Sequence, residues 1–231
     1  FENKLYVIAV TVVLGTELVL NMLWSLAGFE YTDYSDYRSY VNELETAYQE
    51  LQTENGGEFF RVEHQLNNHL NDAMLIGYPS ITHYSSVIPG EVMEYAKAHN
   101  ANAQGFFKGV AFRSENMSAE QAGQMAIKYL LSYELPGDMH GWKIIKKDSF
   151  YVLENERFRP LCYLEQGTGK IVIDINKSND IKIAVSNEQG NAILRTSIPY
   201  EKGWSIKVDG REKKPIGDDL MMAVDIEKGT H

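Results

Sequence analysis

Cysteine is almost missing from this 231-residue chain. Cys162 stands alone, which excludes an internal disulfide framework and any paired-cysteine metal or redox site. Basic residues are scarce as well, with 22 Lys and Arg against 32 Asp and Glu. A net charge of −10 without any basic cluster excludes recognition of a phosphate backbone, so no nucleic-acid partner is expected. Glycine and proline occur at ordinary levels, which leaves no room for a collagen-like repeat or a long structureless linker. There is no Gly-rich phosphate loop, and Ser85-Ser86 lacks the flanking glycines that would expose a nucleophile. His64, His69, His83, His99 and His140 match neither a zinc helix nor a zinc ribbon, so no metal and no cofactor is expected. What is there is 44% hydrophobic and 11% aromatic, a composition for one large globular domain or two small ones.

The most informative stretch comes first. Leu5 to Ala27 reads LYVIAVTVVLGTELVLNMLWSLA, and 17 of its 23 residues are apolar. At ~1.5 Å per residue such a helix matches the roughly 30 Å of a bilayer core. A transmembrane helix is the favoured reading. A signal peptide is the second, since Ser25-Leu26-Ala27 is a small-x-small pattern, although the run is long and only Lys4 precedes it. A buried core helix is the third, and Glu17 and Asn21 fit it better than they fit lipid. In a membrane, those two residues lie one turn apart on one face and serve as packing glue within a helix bundle or in a direct functional role.

Between Glu30 and Phe60 there are eight acidic residues and a single basic one, Arg38. The near absence of Lys and Arg after the apolar run places this side outside the cytoplasm by the positive-inside rule. Within this acidic stretch, Tyr37, Val41, Leu44, Tyr48 and Leu51 recur at steps of four and three. That spacing predicts an amphipathic helix over Asp36 to Glu54, stopped by Asn55-Gly56-Gly57. Tyr31, Tyr34, Tyr37 and Tyr40 repeat every three residues, which reads as an interfacial aromatic belt with helix packing rather than a sugar platform.

From Glu58 the period changes. Glu58 to Glu63 and Ile81 to Val87 have strand composition, and Pro89-Gly90 opens a helix through His99. Ser118-Ala119-Glu120-Gln121 is a capping box for a helix ending around Ala126 or running into Tyr129. Asn116-Met117-Ser118 is formally a glycosylation sequon, but Ser118 is better read as the cap. Beyond Trp142, strand follows strand, with hairpins predicted over Lys147-Asp148-Ser149 and Asp209-Gly210. The fold class is therefore α+β: an N-terminal transmembrane helix (1–29), an acidic amphipathic juxtamembrane helix (30–57), a mixed α/β part (58–141) and an antiparallel β-sandwich (142–231).

Several segments, in collinear order, resemble one family. They are Thr16-Glu17-Leu18-Val19-Leu20-Asn21, Glu58-Phe59-Phe60-Arg61-Val62-Glu63, Ile81-Thr82-His83-Tyr84-Ser85-Ser86, Ile127-Lys128-Tyr129-Leu130-Leu131-Ser132 and Tyr151-Val152-Leu153-Glu154-Asn155. The most specific is Pro199-Tyr200-Glu201-Lys202-Gly203-Trp204-Ser205-Ile206-Lys207-Val208-Asp209-Gly210, with Lys228 to His231 closing the match. In these the chain resembles the C-terminal part of the YfhO-type bacterial membrane proteins. The resemblance implies a polytopic protein of the bacterial cell membrane with a glycosyltransferase-C-like helical core. Such proteins are implicated in moving sugars from lipid-linked donors to cell-envelope polymers such as lipoteichoic acid. It also implies a catalytic acid in an early extracytoplasmic loop, so no catalytic residue is carried over to this chain.

Two functional classes stay open: an extracytoplasmic accessory domain of a membrane glycosyltransferase, or a non-enzymatic surface module that binds glycan or a partner protein. Besides the bilayer, a glycan or lipid-linked sugar is the expected partner. Tyr84, Trp142 and Trp204 are the aromatics positioned by sequence as saccharide-stacking candidates, against the alternative that each Trp is simply core.

Overall fold

The computed structural model describes residues 2–28, 33–66, 70–85, 87–98, 111–112, 117–177, 179–216 and 220–231. Tyr31, His69, Ser86, His99 and Asn116 lie outside the described residues. The chain divides into two compact units, Phe1–Thr46 and Ala47–His231.

The first unit holds helix α1, Glu2–Ala27, and the start of α2, Tyr34–Glu54. α1 is long and apolar enough to cross a membrane, and none of it is buried by protein. Its two threonine hydroxyls are satisfied internally: Thr11 and Thr16 donate to the carbonyls of Val7 and Val12 at 2.9 and 2.8 Å. That removes two polar groups from competition with lipid. Along α2, Tyr40, Leu44 and Leu51 are buried while Tyr37, Val41 and Tyr48 are half-buried, so the apolar stripe is the covered face. The helix stops where Gly56 and Gly57 take φ of 60° and 80°, a left-handed backbone that side chains disfavour.

In the second unit the chain runs through β1 (Arg61–Gln65), α3 (Asp72–Ile76), β2 (His83–Tyr84), α4 (Gly90–Ala98), β3 (Ala111–Phe112) and α5 (Ala119–Gln124). It continues with β4 (Ile127–Ser132), β5 (Trp142–Lys147), β6 (Tyr151–Asn155), β7 (Cys162–Glu165), β8 (Gly169–Lys177), β9 (Asp180–Asn187) and β10 (Ala192–Pro199). Last come β11 (Ile206–Val208), β12 (Arg211–Lys213), β13 (Met221–Ile226) and β14 (Gly229–Thr230).

The first sheet has the order β1-β4-β6-β5. β1 and β4 are parallel, from Val62 opposite Tyr129 to Gln65 opposite Ser132, so everything from α3 to α5 is their crossover. On one face the C-terminal half of α2 docks through rings: Tyr48 lies 6.2 Å from Phe60 and 5.4 Å from Tyr78, and Phe60 meets Tyr129 edge-on at 5.2 Å. Asn55, just past α2, donates to Tyr129 Oη at 2.8 Å and locks the helix end to β4. α5 is held by the buried Asn155, whose Nδ2 donates to Ala119 O at 2.9 Å and Ile127 O at 3.0 Å.

One expectation about this sheet holds and one is corrected. The capping box is formed as predicted, with Ser118 N donating to Gln121 Oε1 and Gln121 N to Ser118 Oγ. The helix it starts ends at Gln124, near the expected Ala126 end and not at Tyr129, because Ala126 turns left-handed (φ 57°) and Ile127 to Ser132 pair as a strand. β4 is covered on both faces, so it lacks the alternation that marks a half-buried strand and reads like a helix end. The β5–β6 hairpin forms over the predicted turn, which the sequence places in the sandwich part. It instead completes the first sheet, because Leu130 and Leu131 of β4 pair with Leu153 and Val152.

The remaining strands are antiparallel. One sheet is β13-β10-β7, a second is β14-β9-β8, and β11-β12 is the hairpin turned by Asp209 and Gly210, both at positive φ. Leu161, Cys162, Leu194, Val224 and Ile226 share one core cluster with Val185, Ile171, Ile173 and Ile183, so the two three-stranded sheets face each other across it. Asn187, buried at the end of β9, reaches Glu227 O at 3.1 Å beyond β13 and ties one sheet to the other. This part is joined to the first sheet by Arg61, whose Nη1 donates to Met125 O at 2.6 Å and to Ser197 Oγ on β10 at 2.8 Å.

Candidate functional site

Strand alternation on β1 sends Glu63 and Gln65 to one face of the first sheet and Val62 and His64 to the other. Glu63 and Gln65 line an open groove of about 740 Å³, together with Leu130 and Ser132 of β4, the cap residue Ser118 and Gln121 of α5. Its outer wall is the loop after β4, with Tyr133, Glu134 and Asp138, and Trp142 at the start of β5 closes it. Among the described residues, three carboxylates line the groove and no Lys or Arg does.

Glu63 is its fixed point. The side chain is only 1% exposed, and Oε1 accepts from Ser80 Oγ at 2.8 Å and from Ile81 N at 2.6 Å. Burying a carboxylate is costly without such donors, and the loop that supplies them lies 17 and 18 residues on. Ser80 Oγ in turn accepts from Thr82 N at 3.1 Å, so the loop is itself braced. Tyr133, by contrast, is exposed, and Trp142 is half-buried, packing on the cluster of Tyr95, Met117, Met125 and Met221. Fixed carboxylate and amide oxygens beside two aromatic rings accept hydroxyl protons and stack on apolar ring faces. The three carboxylates, Glu63, Glu134 and Asp138, disfavour phosphate there.

The three aromatics selected from the sequence are not brought together. Trp142 belongs to this groove. Tyr84 is exposed on β2, where its N–H donates to Asn71 Oδ1 at 2.8 Å. Trp204 lines a separate cavity of about 190 Å³ between the sandwich sheets, beside the His231–Asp209 pair at 2.7 Å. A larger open groove of about 980 Å³, lined by Tyr48, Phe59, Tyr163, Ile171 and Ile173, has Glu58 as its only charged lining residue among the described residues and offers little polar recognition.

The histidines have local roles. His64 Nδ1 is 2.8 Å from Tyr78 Oη, and burial beside Glu63 and Asp72 pushes the Tyr78 phenol above its ordinary value. His83 Nδ1 bonds the Ile81 carbonyl at 2.8 Å. Ser85 Oγ donates to Val87 O at 3.0 Å, which makes it a loop brace. Among the described residues no group of three or more His, Cys, Asp or Glu could hold a metal ion. Glu17 and Asn21 both lie on α1 one turn apart.

Sequence reasoning passed over Glu63, Gln65, Glu134 and Asp138. A signal for Glu63 was present: a carboxylate inside Phe59-Phe60-Arg61-Val62-Glu63 interrupts a strand-like apolar run. Nothing local distinguished the other three from solvated acids.

The described residues form a membrane-length helix followed by an α+β unit that carries an open acidic groove. The model of the family described as bacterial membrane protein YfhO matches residues 2–172 and 149–231, and the chain belongs to that family. No curated protein matches the chain, and no solved structure does.

Proposed function

We propose that this chain is the membrane-anchored, extracytoplasmic accessory domain of a polytopic glycosyltransferase-C-like enzyme, and that its groove holds a neutral sugar unit of a cell-envelope polymer such as lipoteichoic acid. The observation that carries the reading is the acidic, aromatic groove around Glu63, Tyr133, Asp138 and Trp142. It is supported by membership in a bacterial membrane family and by the helix Glu2–Ala27. The scarcity of Lys and Arg after that helix supports the extracytoplasmic side. In this reading residues 58–231 work as the folded domain and 1–29 as its retained anchor.

The groove grips sugar and leaves catalysis to residues outside this chain. Sugar transfer needs a base within hydrogen-bond reach of the reacting hydroxyl, and Glu63 is already committed to Ser80 and Ile81. An open groove buries little of a small ligand, so affinity is weak, with Kd on the order of 1 mM for a neutral oligosaccharide. Titration of the detergent-solubilised chain with uncharged oligosaccharides tests this. Tyr133→Ala and Asp138→Ala each weaken binding about tenfold without changing the melting temperature. Unaltered binding in both variants refutes the groove. Turnover of a lipid-linked sugar by the chain alone, lost on changing one of its carboxylates, refutes the accessory role.

A further inference from the structure

We infer that the segment Asn71–Gly90 is a second membrane contact, a small apolar protrusion that enters the headgroup–acyl boundary of the bilayer. Between Glu63 and Glu91 the sequence carries one formally charged residue, Asp72, in a chain where 23% of residues are charged. Asp72 is only 2% exposed, so among the described residues of this segment no Asp, Glu, Lys or Arg reaches the surface. The large side chains that reach it are apolar or aromatic, with the uncharged Asn71 beside them: Met74, Leu75 and Val87 are 73%, 64% and 83% exposed, and Tyr84 is exposed with them.

The segment is built to hold these side chains out. Ala73 and Asp72 turn inward on α3, which leaves Met74 and Leu75 outward, and Gly77 at φ 91° closes the helix. Asn71 clamps the second arm from both sides, since its Oδ1 accepts from Tyr84 N at 2.8 Å and its Nδ2 donates to Tyr84 O at 3.4 Å. Val87 is set by a Ser85 turn in which Ser85 Oγ both accepts from Val87 N and donates to Val87 O. Four exposed apolar side chains on two clamped arms carry a hydration cost that a soluble surface avoids.

The occupant is argued from charge and from tethering. The family is a membrane family and the chain has a membrane-length helix, so a bilayer is present at high local concentration. The rest of the chain is acidic and is repelled by anionic lipid, whereas this stretch buries no charge on entering the interface. A tyrosine beside aliphatic side chains is also the composition found at the headgroup level.

The test uses the whole chain in phosphatidylcholine–phosphatidylglycerol vesicles. Single Leu75→Cys, Val87→Cys and Glu188→Cys variants are labelled with an environment-sensitive dye, while buried Cys162 stays unlabelled in the folded protein. Doxyl groups near the lipid headgroups quench the dyes at 75 and 87 at least about twofold more than at 188, and aqueous iodide shows the reverse order. A second substitution, Met74→Glu, removes the lipid quenching at 87 and leaves the circular dichroism spectrum unchanged. Equal iodide quenching at all three sites overturns the inference. So does protection at 75 and 87 that persists in detergent together with cross-links to another protein, since a protein surface is then the partner.

Discussion

Arg61→Met should cost the folded domain about 2–4 kcal/mol, and the figure can be worked from the surroundings of the guanidinium. Burial pushes Arg61 from its ordinary value down to about 10, with Glu63 opposing the shift, so it remains charged at neutral pH. Holding that charge costs roughly 3 kcal/mol, at ~1.36 kcal/mol per unit. Against this, the bonds to Met125 O and Ser197 Oγ at 2.6 and 2.8 Å contribute about 1.5–3 kcal/mol each, and a third to Ser197 O at 3.3 Å contributes less. Methionine removes both sides of this balance but leaves the Met125 carbonyl and the buried Ser197 hydroxyl without their donor, which adds about 1–3 kcal/mol. Arg61→Lys does no better, because one ammonium cannot reproduce the fork. Urea unfolding of the chain in mild detergent, followed by tryptophan fluorescence, reads the loss. A cycle with Ser197→Ala should show about 1–2 kcal/mol of coupling. Stability unchanged within about 0.5 kcal/mol, or zero coupling, refutes the view that this arginine fastens the first sheet to β10.

Gly123→Ala should destabilise by roughly 2–4 kcal/mol, because a Cβ there would sit 2.1 Å from Arg157 O, while Gly137→Ala, with nothing within 4 Å, should be near neutral by the same melt. Cys162, buried and pushed up to about 12, should resist iodoacetamide at pH 8 in the native chain and react fully in denaturant, as read by mass spectrometry. His231 is raised by its bond to Asp209, so the pair supports the fold below the ordinary histidine value and its contribution fades as pH rises through the raised one. Proton NMR of the imidazole should place the midpoint above 6.5, and Asp209→Asn should move it down; an unchanged midpoint would separate the two groups.

The sequence by itself determined the elements whose signal fits within a few neighbouring residues. The apolar length of Leu5 to Ala27, the three-and-four spacing from Tyr37 to Leu51, the glycine stop at 56 and 57, the Ser118 box and the Asp209-Gly210 turn all appear in the structure where they were read. Each rests on backbone geometry or on contacts no more than about one helical turn or one hairpin away, which any reading of period can detect. Tertiary structure decided what depends on partners far along the chain. β4 became a central strand because β1 and β6 flank it, and neither neighbour is visible from Ile127 to Ser132 alone. The β5–β6 hairpin joined the first sheet by pairing with that strand, although its own sequence suits either sheet. Arg61 is functional glue only because Ser197, 136 residues later, is folded against it, and Glu63 became the floor of a groove only because Ser80 and Ile81 close over its carboxylate. A polar residue inside an apolar run announces that some partner is needed; which partner, and what cavity results, is set by the packing of segments that no local period connects.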